Sequence, residues 1–393
     1  MTAAQLSASG TLLRGSMKSP ATSHVMIRLP NWVGDAVMSV PALHELRRIF
    51  IDSRVTLVAR PWVAGLFAGE GLADEIIHLS DVRGPFGFVR GFMRDARRLK
   101  RERFDIAVLL QNAFGAALLS RAAGVRKIIG YPTDGRRGLL DQVVPLERDN
   151  RTSHQVFYYL NIAANIERAL TGKSSERFEG TAPHLSVSAD QRDHARRFLT
   201  AAGVTIGGNG QAASAPLILA LNPGATNSRA KRWPAERFAQ AADRLSEKHG
   251  FQSIIIGSAG DLDVASEVAA RMNSPAVVLA GQTSIAELKG VLSSASLVIS
   301  NDTGTAHASA ALGVPTVVVF GPTEHLTTRP LSDAAMVVRG DVECSPCMLR
   351  DCPIDHRCMT QVEVSDVCRA AESLWAAAER TRLPSFDNRD DRQ

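Results

Sequence analysis

The run from Leu297 to Thr323 limits what this chain can become more than any other stretch does. Leu297-Val298-Ile299-Ser300 is short and apolar and reads as a buried strand. Asn301-Asp302-Thr303-Gly304-Thr305 is polar and carries a glycine. Ala306 to Leu312 is small and helix-forming, with His307 inside it, and Gly313-Val314-Pro315 ends that helix. Thr316 to Phe320 is a second, β-branched strand, and Gly321-Pro322-Thr323 leads out of it. Strand, turn, helix and parallel strand make one crossover unit. Open α/β sheets bind ligands at the carboxyl ends of their strands, where this polar turn lies. The helix start supplies free N–H groups and a positive dipole end, which suit an anion. Asp302 would repel a phosphate there, so its expected partner is a set of sugar hydroxyls. A plainer reading stays open on this turn alone: Asp302 or Thr303 merely caps the helix.

Strands alternate with helices along most of the chain, which predicts doubly wound, mostly parallel α/β structure. At 393 residues the chain is too long for one ordinary core, so two domains are expected. The first strands are expected at His24–Leu29, Arg54–Ala59, Glu75–Leu79, Phe104–Leu110, Lys127–Gly130 and Gln142–Val144. Val37, Val40, Leu43, Leu46 and Ile49 recur at helical spacing and predict a helix over Ala36–Ile49. Further helices are expected at Ser153–Ala169 and Ala189–Ala202. Gly207 to Pro216 is rich in Gly, Ala and Ser and reads as a loop or linker. Strands then resume at Leu217–Leu221, Gln252–Ile256, Ala276–Leu279, Leu297–Ser300, Thr316–Phe320 and Ala335–Val338, and a last helix is expected around Val364–Glu379. No sequence repeat links the halves, yet a doubled architecture is expected, two α/β sheets with a cleft between them. The expected divisions are a disordered extension over 1–23, domains over 24–185 and 186–380, and a disordered tail over 381–393, of which Pro384–Gln393 is polar throughout.

The formal charge of +5, from 45 basic and 40 acidic residues, is mild, so its distribution matters more than its size. No apolar run approaches membrane-spanning length. Met1 to Ser23 has no signal-peptide apolar core, and Met17 or Met26 could serve as the start. A soluble cytoplasmic protein is expected. The five cysteines, at 344, 347, 352, 358 and 368, all lie late in the chain, which argues against a disulfide framework.

Three loops follow strands and could carry chemistry. Asn222-Pro223-Gly224-Ala225-Thr226-Asn227 is followed by Arg229, Lys231, Arg232 and Trp233-Pro234. A glycine turn, hydroxyl and amide donors and three cations suit a diphosphate; a solvated basic loop before a helix is the plainer alternative. Gly257-Ser258-Ala259-Gly260-Asp261 could face a ribose through Asp261 or Asp263, though a simple turn accounts for it as well. Trp32-Val33-Gly34-Asp35 follows the first strand. Gly34 lets the backbone approach a ligand, and Asp35 would look across the cleft at Asp302, where a carboxylate could act as general base. The alternative for Asp35 is a helix cap or first-turn acid.

Two features stand apart. Phe86 to Arg103 places Phe86, Phe88, Phe92, Met93 and Leu99 among Arg90, Arg94, Arg97, Arg98, Lys100, Arg101 and Arg103. Such a segment suits an anionic membrane or glycolipid; a solvated helix face with a buried stripe is the alternative. No nucleic-acid motif accompanies the charge, so no nucleic-acid partner is expected. Cys344, Cys347, Cys352 and Cys358 have a spacing that can bind zinc or an iron–sulfur cluster in a structural role, or are plain reduced thiols.

Together these residues resemble a known family, the bacterial lipopolysaccharide heptosyltransferases of glycosyltransferase family nine, which have the GT-B fold of two Rossmann-like domains. The markers are Trp32-Val33-Gly34-Asp35, Asn222-Pro223-Gly224-Ala225, Lys231-Arg232-Trp233-Pro234, Gly257-Ser258, and Asn301-Asp302-Thr303-Gly304 with His307. They extend the resemblance from about Val25 to Trp375, and the Trp-Val-Gly-Asp and Ala-Lys-Arg-Trp-Pro forms look like the heptosyltransferase II branch. The resemblance implies an inverting transfer from ADP-L-glycero-D-manno-heptose, the donor, to a Kdo-lipid A type core acceptor, heptose II onto heptose I. It implies Asp35 as base, Thr226, Asn227 and Lys231 on the diphosphate, Thr283 near the adenine, and Asp302, Thr303, Gly304 and His307 at the sugar end. It also implies a cytoplasmic protein peripheral to the inner membrane, in transient contact with its inner leaflet. No cofactor is expected for catalysis, since the first domain has no Asp-x-Asp pair to hold a metal. Other readings are heptosyltransferase I, another family nine enzyme with a different core acceptor, and a non-catalytic nucleotide- or metal-binding protein of the same fold. A nucleotide-dependent dehydrogenase would need Gly-x-Gly-x-x-Gly after the first strand, which Pro30 to Asp35 does not supply.

Overall fold

Two parallel six-stranded sheets form the molecule. The computed structural model describes residues 23–81, 84–146, 153–173, 181–206, 217–226 and 228–382. Residues 1–22 of the extension expected to be disordered over 1–23, Pro384–Gln393, and the expected linker Gly207–Pro216 lie outside the described residues, whereas Ser23 is described and buried.

The first half runs β1 (His24–Arg28), α1 (Val33–Met38), α2 (Val40–Ile49), β2 (Arg54–Ala59), α3 (Pro61–Ala64), β3 (Glu75–His78), α4 (Pro85–Glu102), β4 (Ile106–Leu109), α5 (Phe114–Ala122), β5 (Lys127–Gly130), β6 (Gln142–Val143) and α6 (Gln155–Thr171). The second runs α7 (Ala189–Ala201), β7 (Ile218–Asn222), α8 (Ala235–His249), β8 (Gln252–Ile255), α9 (Leu262–Arg271), β9 (Ala276–Val278), α10 (Ile285–Ser294), β10 (Leu297–Asn301), α11 (Gly304–Ala311), β11 (Thr316–Phe320), α12 (His325–Thr328), β12 (Ala335–Arg339), α13 (Arg357–Thr360) and α14 (Val364–Arg382). Helix α14 thus runs past the boundary expected at 380.

The sheet orders are β3-β2-β1-β4-β5-β6 and β12-β11-β10-β7-β8-β9. Counted from its own first strand, each half has the same order, 3-2-1-4-5-6. The order reverses between β1 and β4 and again between β7 and β10, which is where open α/β sheets form the crevice that takes ligands. The segments that follow those strands carry Asp35, Lys231 and Asp302.

The helix expected over Ala36–Ile49 is two helices, α1 and α2, meeting at Ser39. Pro41 has no N–H to give, and its ring would strike the carbonyl of Val37, so one helix cannot continue. Proline suits the first turn of α2 instead. Leu43 and Leu46 of α2 are fully buried, each contributing about 1.5–3 kcal/mol of apolar burial. The break also moves the start: α1 begins at Val33, so Asp35 lies inside its first turn rather than ahead of it.

One apolar cluster reaches from Val25 and Leu57 through Ile162 to Val291 and Val298, so it joins the two sheets. Polar ties accompany it. Lys289, 1% exposed on α10, donates to Glu70 Oε1 at 2.7 Å and to the carbonyl of Leu66 at 3.0 Å. Helix α1 packs on α11, which brings the two crevices face to face.

Candidate active site

Asn301 ends β10 and organises the second crevice. It is fully buried; its Nδ2 donates to the carbonyl of Pro223 at 2.8 Å, and its Oδ1 accepts from the Trp233 amide at 2.9 Å. The side chain therefore ties both ends of the loop after β7 to the turn after β10. Asn222 Nδ2 donates to Thr303 Oγ1 at 2.8 Å and to Ser300 Oγ at 2.9 Å. Thr303 is the N-cap residue of α11, yet its side chain makes no capping bond. The capping reading of Asp302 also gives way, because its carboxylate points elsewhere: Oδ2 accepts from Lys231 Nζ at 2.7 Å and from Thr323 Oγ1 at 2.7 Å.

Asp35 stands on the facing element. Tyr159 on α6 donates to its Oδ1 at 3.2 Å. Burial, the largest influence, raises the Asp35 pKa; the Tyr159 bond and the Lys231 charge pull it back, while Asp302 pushes it up. The Lys231–Asp302 pair is thus close enough to be felt at Asp35. His307 is buried beside them, and desolvation, with help from His154 and Lys231 against the pull of Asp302, lowers its pKa to about 4. It is a neutral imidazole near pH 7.

Glycine is required where the halves touch. A Cβ on Gly34 would stand 3.1 Å from His307 Cδ2. One on Gly304 would stand 2.5 Å from Val33 Cβ and 3.0 Å from the Gly34 nitrogen, which is closer than side chains pack. The sequence assigns Gly34 to ligand approach, and the resemblance places Gly304 at the sugar end; both also let α1 and α11 meet.

The structure separates the three cations of the basic loop. Lys231 faces the crevice. Arg229 is exposed and paired with Asp351 at 2.7 Å. Arg232 reaches Asp261 Oδ1 at 3.5 Å. Asp261 also accepts from the Ser258 hydroxyl at 2.5 Å and amide at 3.1 Å, and fills the space where a Gly224 side chain would be. It braces its own turn against the loop after β7. Pro234 is the N-cap of α8, and Glu236 stands in its first turn, where an acid suits the helix dipole. Thr226 is exposed in the loop after β7, Asn227 lies outside the described residues, and Thr283 stands in the turn before α10, at the edge-strand end of the sheet.

Among the described residues, no three His, Cys, Asp or Glu side chains are grouped so as to hold a metal ion, and all five cysteines are free. Cys344, Cys347, Cys352 and Cys358 do line one small cavity of about 80 Å³. Burial, and after it the other three thiols, pushes Cys358 up to about 11. The segment carrying them braces the site. Ser345 Oγ donates to the Gly321 carbonyl at 2.6 Å and the Met348 amide to the Pro322 carbonyl at 2.8 Å. The Ala230 amide donates to the Arg350 carbonyl at 2.9 Å, next to Lys231.

The site can therefore present a carboxylate base on one half opposite a lysine, a hydrogen-bonded aspartate and a helix start on the other. Sequence reasoning missed Tyr159, which carries no local signal, and the bracing by Asn301, whose position at a strand end was visible.

Comparison with known proteins follows the same lines. The model of glycosyltransferase family 9 (heptosyltransferase) matches residues 92–357. The lipooligosaccharide heptosyltransferase 2 of Haemophilus ducreyi is 27% identical over 322 residues, 80% of this chain and 88% of that protein. That of Campylobacter jejuni is 28% identical over 360 residues, 89% of this chain and 98% of that protein. The solved structure of E. coli ADP-heptose LPS heptosyltransferase II matches with a TM-score of 0.74 at 24% identity, covering 91% of this chain and 99% of that one. A family 9 glycosyltransferase structure from Veillonella parvula matches with a TM-score of 0.77 at 22% identity, covering 92% of this chain and all of that one (100%). Both structures share the GT-B fold.

Proposed function

The chain belongs to glycosyltransferase family 9, the heptosyltransferases, and from that premise we propose that it moves heptose from ADP-L-glycero-D-manno-heptose to the inner core of lipopolysaccharide, heptose II onto heptose I. The relatives' names support heptose transfer to lipooligosaccharide, and the E. coli structure is named for ADP-heptose and LPS. The observation that carries the reading is the meeting of α1 and α11, which sets Asp35 opposite the Lys231–Asp302 pair. We assign 24–185 to the acceptor side and 186–380 to the donor side.

In the proposed step the acceptor hydroxyl attacks the anomeric carbon from the face opposite the leaving group, inverting it. Its proton passes to Asp35 as the new C–O bond forms. The bond from the anomeric carbon to the phosphate oxygen breaks, and its electron pair leaves with ADP. Lys231, the Gly304 start of α11, and Thr226 and Asn227 meet the charge on the diphosphate. Asp302 Oδ2 is committed to Lys231 and Thr323, which leaves Oδ1 for sugar hydroxyls, with neutral His307 as a further hydrogen-bonding group. Thr303 holds the turn, and Thr283 is assigned to the adenine end.

Because fixed protein donors meet the leaving charge in this scheme, turnover survives EDTA. Activity lost to EDTA and regained with magnesium would contradict it. A metal at Cys344, Cys347, Cys352 and Cys358, zinc or an iron–sulfur cluster, would be structural, drawing the cavity's thiols together. In that case chelation lowers the melting temperature and zinc restores it; a melting temperature indifferent to both leaves plain thiols.

We assign the acceptor's membrane contact to α4 and α5, with the protein on the cytoplasmic side and peripheral to the inner membrane. Among the described residues no helix is long and apolar enough to cross a membrane. Helix α4 exposes Phe86 (85%), Phe88 (57%), Val89 (60%) and Met93 (45%), and the adjacent α5 exposes Phe114 and Leu118. Arg90 and Arg97 are exposed on the same helix. Each basic side chain near an anionic surface is worth about 1 kcal/mol. Reversing both arginines to Glu is expected to weaken binding to anionic vesicles at least about tenfold at low salt, with ADP binding unchanged. Equal vesicle binding by the variant would remove this assignment.

A further inference from the structure

Tyr159 is one of three tyrosines in the chain and is 4% exposed on α6. Its ring meets Tyr158 edge-on, with centroids 5.6 Å apart, and Tyr158 stacks on Tyr131 at 4.2 Å. Tyr131 donates back to the Tyr158 carbonyl at 2.8 Å, and Asn112 Nδ2 donates to the Tyr158 hydroxyl at 2.6 Å. The start of α6 is fixed as well. His154 caps it, accepting from the Val156 amide at 3.2 Å, and its other ring nitrogen lies 2.7 Å from the Arg329 carbonyl in the second half. With α6 fixed in this way and its own ring buried, Tyr159 keeps its hydroxyl 3.2 Å from Asp35 Oδ1.

We infer that Tyr159 is a positioning residue for the transfer: it holds Asp35 Oδ1, turns Oδ2 to the acceptor hydroxyl, and sets the strength of the carboxylate as a base. This rests on the reading of Asp35 as the base. Burial disfavours the ionised carboxylate, and a phenol that donates to it favours the ionised form again. Burial, and after it Asp35, holds the Tyr159 proton in place well above the usual tyrosine range, so the phenol remains a donor at working pH.

The groups facing Asp35 come from several elements. Tyr159 comes from α6, Lys231 from the loop before α8, Asp302 from the turn after β10 and neutral His307 from α11. Helix α3 has no titratable side chain. On α2, Arg47 pairs with Asp74, Arg48 and Glu45 pair with each other, and His44 is exposed. Of the side chains that shift Asp35, Tyr159 is the uncharged one, so its removal changes no charge.

The test is the pH dependence of kcat/KM in the full-length enzyme, with ADP affinity measured alongside. In the parent enzyme activity rises with pH as Asp35 ionises. Tyr159→Phe is expected to move that acid limb upward by about one pH unit, to keep ADP affinity, and to stay within a few-fold of the parent at high pH. A limb that disappears in Asp35→Asn but does not move in Tyr159→Phe overturns this inference alone, as does an equal loss at every pH. A limb that persists in Asp35→Asn overturns the base assignment and this inference with it. If Tyr159→Phe does not fold, 3-fluorotyrosine in place of all three tyrosines makes the phenol a stronger donor. The limb should then move to lower pH, and an unmoved limb overturns the inference.

Discussion

Asp35→Asn is expected to give a folded protein with near-normal ADP affinity and turnover reduced at least about a hundredfold. An acceptor hydroxyl is a poor nucleophile near neutral pH, and a base must take its proton during attack. General-base catalysis is typically worth about a hundred- to ten-thousandfold, or about 3–5 kcal/mol of barrier. Asp35 is suited to this because burial raises its pKa above the ordinary aspartate value, which strengthens it as a base, despite the opposing pull of Tyr159 and Lys231. With ionised Asp35 as the proposed base, activity is expected to grow as pH rises through its raised pKa and to be lost below it. A structural role would have a much smaller effect. Trp32, not Asp35, is the N-cap of α1. As a first-turn acid Asp35 offers about 0.3–1 kcal/mol of stability, and Asn keeps its shape. Turnover within a few-fold of the parent would leave Asp35 as a helix-terminal acid and place the base elsewhere.

Lys231→Ala is the second large effect, with a different signature. Lys231 Nζ is 2.7 Å from Asp302 Oδ2, and its side chain is 26% exposed, so it is open to the crevice on one side. A donor's diphosphate can draw it from a partner that keeps Thr323. Removing one preorganised donor to a developing charge typically costs about a hundred- to a thousandfold in kcat. Here the ground-state diphosphate is already charged, so ADP affinity is expected to fall too, unlike in Asp35→Asn. The substitution also leaves Asp302 buried without its cation, so the melting temperature should fall. Lys231→Arg keeps the charge and separates this stability loss from the catalytic one. Unchanged ADP affinity and kcat in Lys231→Ala would move the diphosphate away from this loop.

The signals that were legible were local and repetitive. Thr316–Phe320 is a β-branched run between breakers, and β11 has those bounds. The polar turns after strands were equally plain, which brought Asp35, Lys231 and Asp302 into view before their geometry. The break at Ser39 was also written in the sequence, in Pro41, but apolar spacing ran smoothly across it and hid the break. Arg229, Lys231 and Arg232 look equivalent on paper. Only the packing of distant segments, with Asp351 and Asp261 as takers, leaves Lys231 for the crevice. The Tyr159 contact spans 124 positions in the chain, so no spacing rule reaches it. The same holds for the match of Gly34 to His307, which exists only because α1 and α11 meet.

The most direct test supplies purified protein with ADP-L-glycero-D-manno-heptose and a Kdo-lipid A type acceptor already bearing one heptose, in the presence of EDTA. ADP release and the anomeric configuration of the product are followed together. The predicted result is one ADP released per heptose transferred, dependent on acceptor, with the anomeric carbon inverted. Release of ADP no faster than without acceptor, or a product with retained configuration, would contradict it.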